Sequence, residues 1–388
     1  MLKFVATNRN ALIVIAMFRK QIEIKHHLFE ETSHSPSLVD IVGEEQLADV
    51  VDFCFIENPY FPGEALIRRL QDKLPEVLKA YPSSNPKVAQ QDLAAVLHIK
   101  PEYLVLGNGA TELITIIQNN FVEDMGIPVP TFSEYIEKVQ NLEKVKLFQL
   151  PADNQYQLDL EEYGDWLVEE KLSSALIINP GNPTGQLLSI EEITGFLNRM
   201  KHLKLVLVDE SFIDFAGEEI PSLMPVVEQF QNLVIIRSMS KHCGVPGLRL
   251  GYCCTANEYY LKQIRNALPV WNINTLAEYF LTQLKDTDVE YHKARKHVIS
   301  DVRELHEALC EIEGYEVYPT NSNFILLKIN FAICAYDLQM KLLQNFGVYV
   351  RDCSNKIGLD HKHIRIASKG REKDQLLIHA LKTVAAKC

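Results

Sequence analysis

Positive charge is in short supply: 39 Lys and Arg stand against 51 Asp and Glu, a formal charge of −12. Without a net positive field, neither nucleic acid nor an anionic membrane is an expected partner, and any anionic ligand must be held by local groups. Long apolar runs are lacking too. The longest early one, 11–18, is about half of what crosses a bilayer. Lys3 and Arg9 precede it, but no small-residue cleavage site follows, so a cytoplasmic protein is expected. The eight cysteines (Cys54, Cys243, Cys253, Cys254, Cys310, Cys334, Cys353, Cys388) contain no C-x-x-C pair and no regular spacing. That argues against a disulfide framework or a zinc site, and they read as reduced thiols, mostly core. No His/Cys/Asp group has ligand spacing, so no metal is expected. Repeats, low-complexity tracts and coiled-coil heptads are absent.

What remains is a globular balance: 388 residues, 47% hydrophobic and 23% charged, enough for two or three compact units at roughly 150 residues each. From about residue 100, short apolar runs alternate with amphipathic stretches, the pattern of a mostly parallel sheet covered by helices. Strands are predicted at 103–107, 145–150, 175–179, 205–209, 233–237 and 250–254, with helices at 112–121, 158–171, 190–200 and 258–267. The fold class is therefore α/β, a doubly wound sheet in a large domain over 61–274. A smaller α+β domain is expected over 275–388, opening with one long helix over 275–310. Strands at 316–319 and 323–329, a helix at 335–346 and a last helix after Gly370 follow. Residues 1–60, broken by Pro36 and Pro59 and followed by Pro62, read as an arm plus part of the small domain; the irregular first 20 are also compatible with descent from a larger fusion.

Four segments carry candidate chemistry. Ser238-Met239-Ser240-Lys241, followed by Gly247-Leu248-Arg249, puts a lysine just after a buried strand, two hydroxyls before it and an arginine eight residues on. That suits a Schiff-base lysine beside a phosphate site, although a lone lysine there is as readily a solvated loop residue. Asn179-Pro180-Gly181-Asn182-Pro183-Thr184-Gly185 is a rigid turn at a strand's carboxyl end, where such sheets bind ligands; a plain strand-to-helix connection is the alternative. The strand 205–209 ends in Asp209 and Glu210. A carboxylate there can hold a protonated ring nitrogen, or simply be solvated. Gly107-Asn108-Gly109-Ala110-Thr111-Glu112 leads a strand into a helix whose free N–H groups can meet an anion, but no G-K-[ST] makes it a Walker loop.

In this order, over about residues 55 to 385, the four segments resemble the class I/II aminotransferase family, fold type I enzymes dependent on pyridoxal 5'-phosphate. The resemblance implies that Lys241 bears the cofactor, Asp209 pairs with its ring nitrogen and Asn182 donates to its phenolic oxygen. Ser238, Ser240, Arg249 and the backbone at Ala110 and Thr111 would hold its phosphate. Phe132 matches the aromatic stacked on the ring. Tyr81, before Pro82, matches a tyrosine reaching the neighbouring subunit's cofactor phosphate, which implies a homodimer with shared active sites. Arg365, in His363-Ile364-Arg365-Ile366-Ala367, lies where the family keeps its substrate-carboxylate arginine, and Arg351 is a second candidate; a planar guanidinium fork suits either anion.

Within the family, Arg351-Asp352-Cys353-Ser354-Asn355, Asp209 to Phe215 and Trp271-Asn272-Ile273-Asn274 are most similar to threonine-phosphate decarboxylases and histidinol-phosphate aminotransferases. Phe212 stands where many members have a tyrosine. With Cys353 it favours α-decarboxylation of a small phosphorylated amino acid, of phosphoserine or phosphothreonine type, over transamination of the histidinol-phosphate type. A departure is His34-Ser35-Pro36-Ser37, where those decarboxylases have His-Gly-Gly near the substrate phosphate. A non-catalytic cofactor-binding scaffold is a further alternative, against which stand the acidic charge and the lack of a basic helix-turn-helix segment.

Overall fold

The computed structural model describes residues 22, 24–29, 35–139 and 141–387. The expectations for residues 1–20 and for His34 lie outside the described residues. In chain order the strands among them are β1 (Val51–Asp52), β2 (Leu104–Asn108), β3 (Met125–Val129), β4 (Val145–Gln149), β5 (Ser174–Ile178), β6 (Leu205–Asp209) and β7 (Leu233–Ser238). After them come β8 (Leu250–Cys254), β9 (Tyr315–Val317), β10 (Phe324–Ile329), β11 (Val348–Tyr349), β12 (Arg351–Asp352) and β13 (His363–Ala367).

The large sheet has seven strands in the order β2-β8-β7-β6-β5-β3-β4. Only β8 runs against its neighbours; the other pairings are parallel. A parallel sheet must be covered on both faces, so its strands read as continuous apolar runs. The period-two alternation then sorts the side chains between two cores. Ala175, Ile177, Val206, Val208, Leu233 and Ile235 face one core, with the helices Leu160–Glu169 and Ile190–Arg199. Leu176, Leu205, Leu207, Val234 and Ile236 face the other, with the helices Gly109–Phe121 and Glu258–Ala267.

Helix starts are written locally. Ser189 and Glu192 form a reciprocal capping box, and Asp159 and Asn257 each accept two backbone N–H bonds. The edge strand β4 is half exposed and carries Lys146, which discourages pairing with another chain. Strand β3 escaped the sequence reading because Gly126 and Pro128 interrupt its apolar pattern, although all five residues are buried.

A four-stranded antiparallel sheet, β12-β13-β10-β9, carries a third core with the helices Ala335–Phe346 and Arg371–Ala385. The chain before the large sheet joins it: β1 pairs in parallel with β11, and Phe53 N–H donates to the Tyr349 carbonyl at 2.7 Å. The single helix expected over 275–310 is two helices, Thr275–Gln283 and Asp288–Cys310. Between them Leu284–Asp286 tightens into a 3-10 turn, and the Thr287 hydroxyl closes onto the Leu284 carbonyl at 2.7 Å. The first helix packs Ala277, Phe280 and Leu281 into the large core, although the boundary read at 274 placed it with the small domain. The second bridges the units, with Ala294 in the large core and Leu305 and Leu309 in the small one. Among the described residues no helix is long and apolar enough to cross a membrane.

One close approach positions the site. A Cβ on Gly251 of β8 would lie 2.4 Å from the Ala110 backbone nitrogen, so only glycine lets β8 support the start of the helix Gly109–Phe121. Gly251→Ala should cost about 1–3 kcal/mol through overpacking, read as a lower urea midpoint; an unchanged midpoint would contradict the approach.

Candidate active site

At the carboxyl ends of the parallel strands lies a cavity of about 570 Å³. Ala110, Thr111, Phe132, Asn182, Asp209, Ser238, Ser240, Lys241, Arg249, Arg351 and Arg365 all line it. These candidates come from segments far apart in the chain, and the topology brings them together because parallel strands deliver their ends to one edge. Tyr81 is the exception. It is 82% exposed, lies away from the cavity and packs its ring against Trp271 at 5.0 Å.

Asp209 ends β6 and is buried. One carboxylate oxygen accepts from the Tyr135 hydroxyl and the other from the Ser211 N–H, each at 2.8 Å. Burial pushes its carboxyl above the ordinary range, while the Ser211 and Tyr135 hydrogen bonds and the Lys241 charge draw it back. The result is an acceptor held at the cavity wall. Tyr135, whose own hydroxyl burial and Asp209 push well up, was missed in the sequence, as was Ser211. Ser211 lies two residues past Asp209 and lines the cavity; its hydroxyl accepts from the Ser238 N–H at 3.0 Å, tying β6 to β7.

Lys241 sits in the short helix Met239–His242 that follows β7. Its carbonyl accepts from Asn58 N–H at 2.8 Å, which holds the 50–58 segment over the cavity, with Cys54, Phe55 and Ile56 in the lining. Removal from water lowers its ammonium to about 8; Arg365, Arg249 and Lys369 push the same way, and Glu57 opposes them. The amine is thus substantially neutral just above physiological pH.

At the start of the helix Gly109–Phe121, Gly109 has φ +76°, and a Cβ there would meet the Arg249 guanidinium at 2.5 Å. Arg249, itself at φ +54°, donates to the Pro246 carbonyl at 3.3 Å and approaches the Ser240 hydroxyl at 3.5 Å. Free N–H groups, two serine hydroxyls and a guanidinium so converge on one end of the cavity. Asn272 and Asn274, noted in the sequence only for likeness, brace that end. Asn272 donates to the Leu106 carbonyl at 3.0 Å and Asn274 to the Leu248 carbonyl at 2.9 Å.

The loop after β5 is clamped by Asn179, whose side chain exchanges two hydrogen bonds with the Leu188 backbone at 3.0 and 2.8 Å. That fixes Asn182, whose side-chain oxygen accepts from Arg365 at 2.8 Å. Arg365 also donates to the Cys54 carbonyl at 2.9 Å, and its cation lies over the Phe324 ring at 5.5 Å. Phe212 lines the cavity edge-on to that same ring. Arg351 is buried, donating to Ser35 at 2.5 Å and to Asn355 at 3.0 Å. Ser35, in the His34-Ser35-Pro36-Ser37 stretch noted as a departure, and a buried lysine, Lys356, also line the cavity; Lys356, a single polar residue in a loop, had no signal in the sequence.

The comparisons with known proteins agree with this architecture. Residues 48–381 match the model of the family described as aminotransferase class I and II. L-serine phosphate decarboxylase of Campylobacter jejuni is 33% identical over 365 residues, covering 90% of this chain and 92% of that protein. The solved structure of a decarboxylase from Sulfurospirillum multivorans matches with TM-score 0.78 at 33% identity, over 86% of this chain and 95% of that one. That of the histidinol-phosphate aminotransferase from Clostridium acetobutylicum matches with TM-score 0.79 at 26% identity, over 87% and 100%. The chain belongs to the aminotransferase class I and II family. It is an enzyme of fold type I, and its cofactor is pyridoxal 5'-phosphate.

A lysine with its ammonium lowered to about 8 should take up the cofactor aldehyde at a rate that climbs between about pH 7 and 9 and then levels, because the neutral amine is the nucleophile. Stopped-flow absorbance on cofactor-free protein measures this. A rate still climbing steeply at pH 10 would mean an ordinary lysine. Tyr135→Phe removes a hydrogen bond to a buried carboxylate, worth about 1.5–3 kcal/mol, and should lower turnover about tenfold or more; full activity would take Tyr135 out of the site.

Proposed function

We propose that this protein removes the α-carboxylate of a small phosphorylated amino acid, with L-serine phosphate as the first substrate to test, and that it works as a cytoplasmic homodimer. The observation that carries the reading is the pair of guanidiniums, Arg351 and Arg365, lining the same cavity as Lys241. The names of the relatives support it, two being decarboxylases, one of them acting on L-serine phosphate.

The residues fit the cofactor. Asp209 is a buried acceptor for a ring N–H, and Ser238, Ser240, Arg249 and the N–H groups at Ala110 and Thr111 suit its phosphate. The space that a Cβ on Gly109 would fill leaves that cradle open. Asn182 suits the phenolic oxygen, Phe132 the ring face, and Lys241 Nζ the aldehyde. When bound, the cofactor supplies a conjugated electron sink, into which only the Cα bond perpendicular to its plane releases electrons.

What the chain's own residues do is orient. Arginines gripping the substrate phosphate leave the carboxylate free to take the perpendicular position, so CO2 departs; arginines gripping the carboxylate leave Cα–H there. Lys241 Nζ, with its ammonium near 8, can give a proton to Cα after CO2 leaves. Phe212 offers no hydroxyl, so it fills the wall without adding a hydrogen bond.

Ser35 beside Arg351 supports an arm contribution to substrate binding, from a segment that lacks the His-Gly-Gly pattern. Tyr81, exposed in one chain, suits a role in a partner's cavity, which supports the dimer. The free cysteines among the described residues accord with a reducing compartment.

A specific observation keeps a second reading open. Arg365 bonds Asn182, next to the cofactor's place, as a carboxylate-holding arginine of an aminotransferase would. Incubation with L-serine phosphate, L-threonine phosphate and histidinol phosphate separates the two. Decarboxylation releases CO2 and an amino-alcohol phosphate with the cofactor unchanged; stoichiometric amination of the cofactor without CO2 would overturn the first reading. A protein that binds cofactor and consumes none of the three would be the scaffold instead.

A further inference from the structure

The loop between β12 and β13 inverts the usual rule of burial. Ile357 is 49% exposed, whereas its neighbour Lys356 is 8% exposed with its side chain in the cavity lining. Lysine is almost never fully buried unless paired, and burying an ammonium has a large desolvation cost. The backbone enforces this orientation: Lys356 N–H bonds the Cys353 carbonyl at 2.9 Å, and the Lys356 carbonyl accepts from Leu359 N–H at 3.0 Å. Its hydrogen-bond partner is the neutral Ser133 hydroxyl, and among the described residues no carboxylate lies within ion-pair distance of its Nζ.

The main electrostatic influences on Lys356 are Arg351 and Arg365, both cations, opposed by the Cys353 thiol and, more weakly, by Glu137. Burial and the two guanidiniums draw its ammonium down to about 8. An arriving dianion would reverse that pressure. One arginine suffices for a carboxylate; Glu134 lines the same cavity, and its single carboxylate set against two guanidiniums and an ammonium still leaves more positive charge than one negative charge would neutralise.

We propose that Lys356 is a specificity-determining residue that leaves Ser133 to bind the phosphate dianion of the substrate together with Arg351 and Arg365. The inference rests on the function proposed above, naming the side chain that makes the site prefer a phosphate monoester to a second carboxylate.

The test uses cofactor-loaded full chain and two substitutions. Lys356→Met and Lys356→Gln should each raise the calorimetric Kd for inorganic phosphate, and the KM for L-serine phosphate, by about tenfold to a hundredfold, the scale of one charged hydrogen bond. The loss should fall on KM more than on kcat, and Lys356→Arg should recover most of it. A wild type that consumes L-serine phosphate while Lys356→Met and Lys356→Gln match it in Kd and KM would overturn the inference and leave the proposed function standing. Phosphate binding that depends on Lys356, without turnover of any phosphorylated amino acid, would keep the subsite and remove the reaction. A loss on kcat alone, or no phosphate binding by the wild type, would overturn the inference.

Discussion

Cations crowded into one cavity are the constraint on which this structure turns. Lys241, Arg249, Arg351, Lys356 and Arg365 all line it; like charges in a partly desolvated cavity repel, and the packed elements that carry them hold them there in spite of it. The large unit supplies Lys241 from just past the end of β7 and Arg249 from just before the antiparallel β8; the small unit supplies the other three from β12, β13 and the loop between them. Repulsion and desolvation are what bring two lysine ammoniums down to about 8. Anions are the natural complement, one phosphate at the helix start and a second on the small-unit side.

The acidic net charge acquires a meaning in this light. At −12 the chain offers no long-range attraction to phosphates, so recognition is confined to a cavity where positive groups are close and partly desolvated, and the field is strong only there. Carboxylates near these cations are kept on particular duties. Glu57 pairs with Lys369, itself buried and bonded to the Phe55 carbonyl, which holds the 50–58 segment against the small unit. Next to Lys241 in the chain, His242 lies 3.7 Å from Asp214, which is paired with the buried Arg237 and accepts from Tyr291; Arg237, His242 and that hydrogen bond hold its carboxyl far below the ordinary range despite burial. That network stiffens the chain beside the reactive amine.

The bridging helix Asp288–Cys310 and the 50–58 segment are two of the links between the cores. One carries apolar contacts to both, and the other carries main-chain bonds to Gly347 and Tyr349 on one side and to Lys241 on the other. A cavity whose two walls belong to different packed units depends on such ties for its spacing. A shift of about 1 Å between the walls would change which substrate bond is presented.

The large sheet was legible in the sequence wherever a strand is buried on both faces, because an uninterrupted Val/Ile/Leu run bounded by turn residues has few other readings. Strand β3 was not, since Gly126 and Pro128 break the run while tertiary packing buries it regardless. The break at Thr287 was equally hidden: local propensity carries a helix through it, whereas the second half turns from the large core at Ala294 to the small one at Leu305 and Leu309. Of the site, Lys241, Asp209, Asn182 and Arg249 stand in segments whose spacing is itself the signal, because each is tied to the end of a nearby strand. Tyr135, Ser35 and Lys356 have no such strand-end position; packing within the large unit sets Tyr135 against Asp209, while Ser35 and Lys356 reach the cavity through contacts with Arg351 and Ser133. Sequence alone determined the class of chemistry, since that depends on strand-borne groups. Tertiary structure alone decided that Lys356 and Ser35 join the two arginines at the cavity, since both sit on loops whose direction is set by distant contacts.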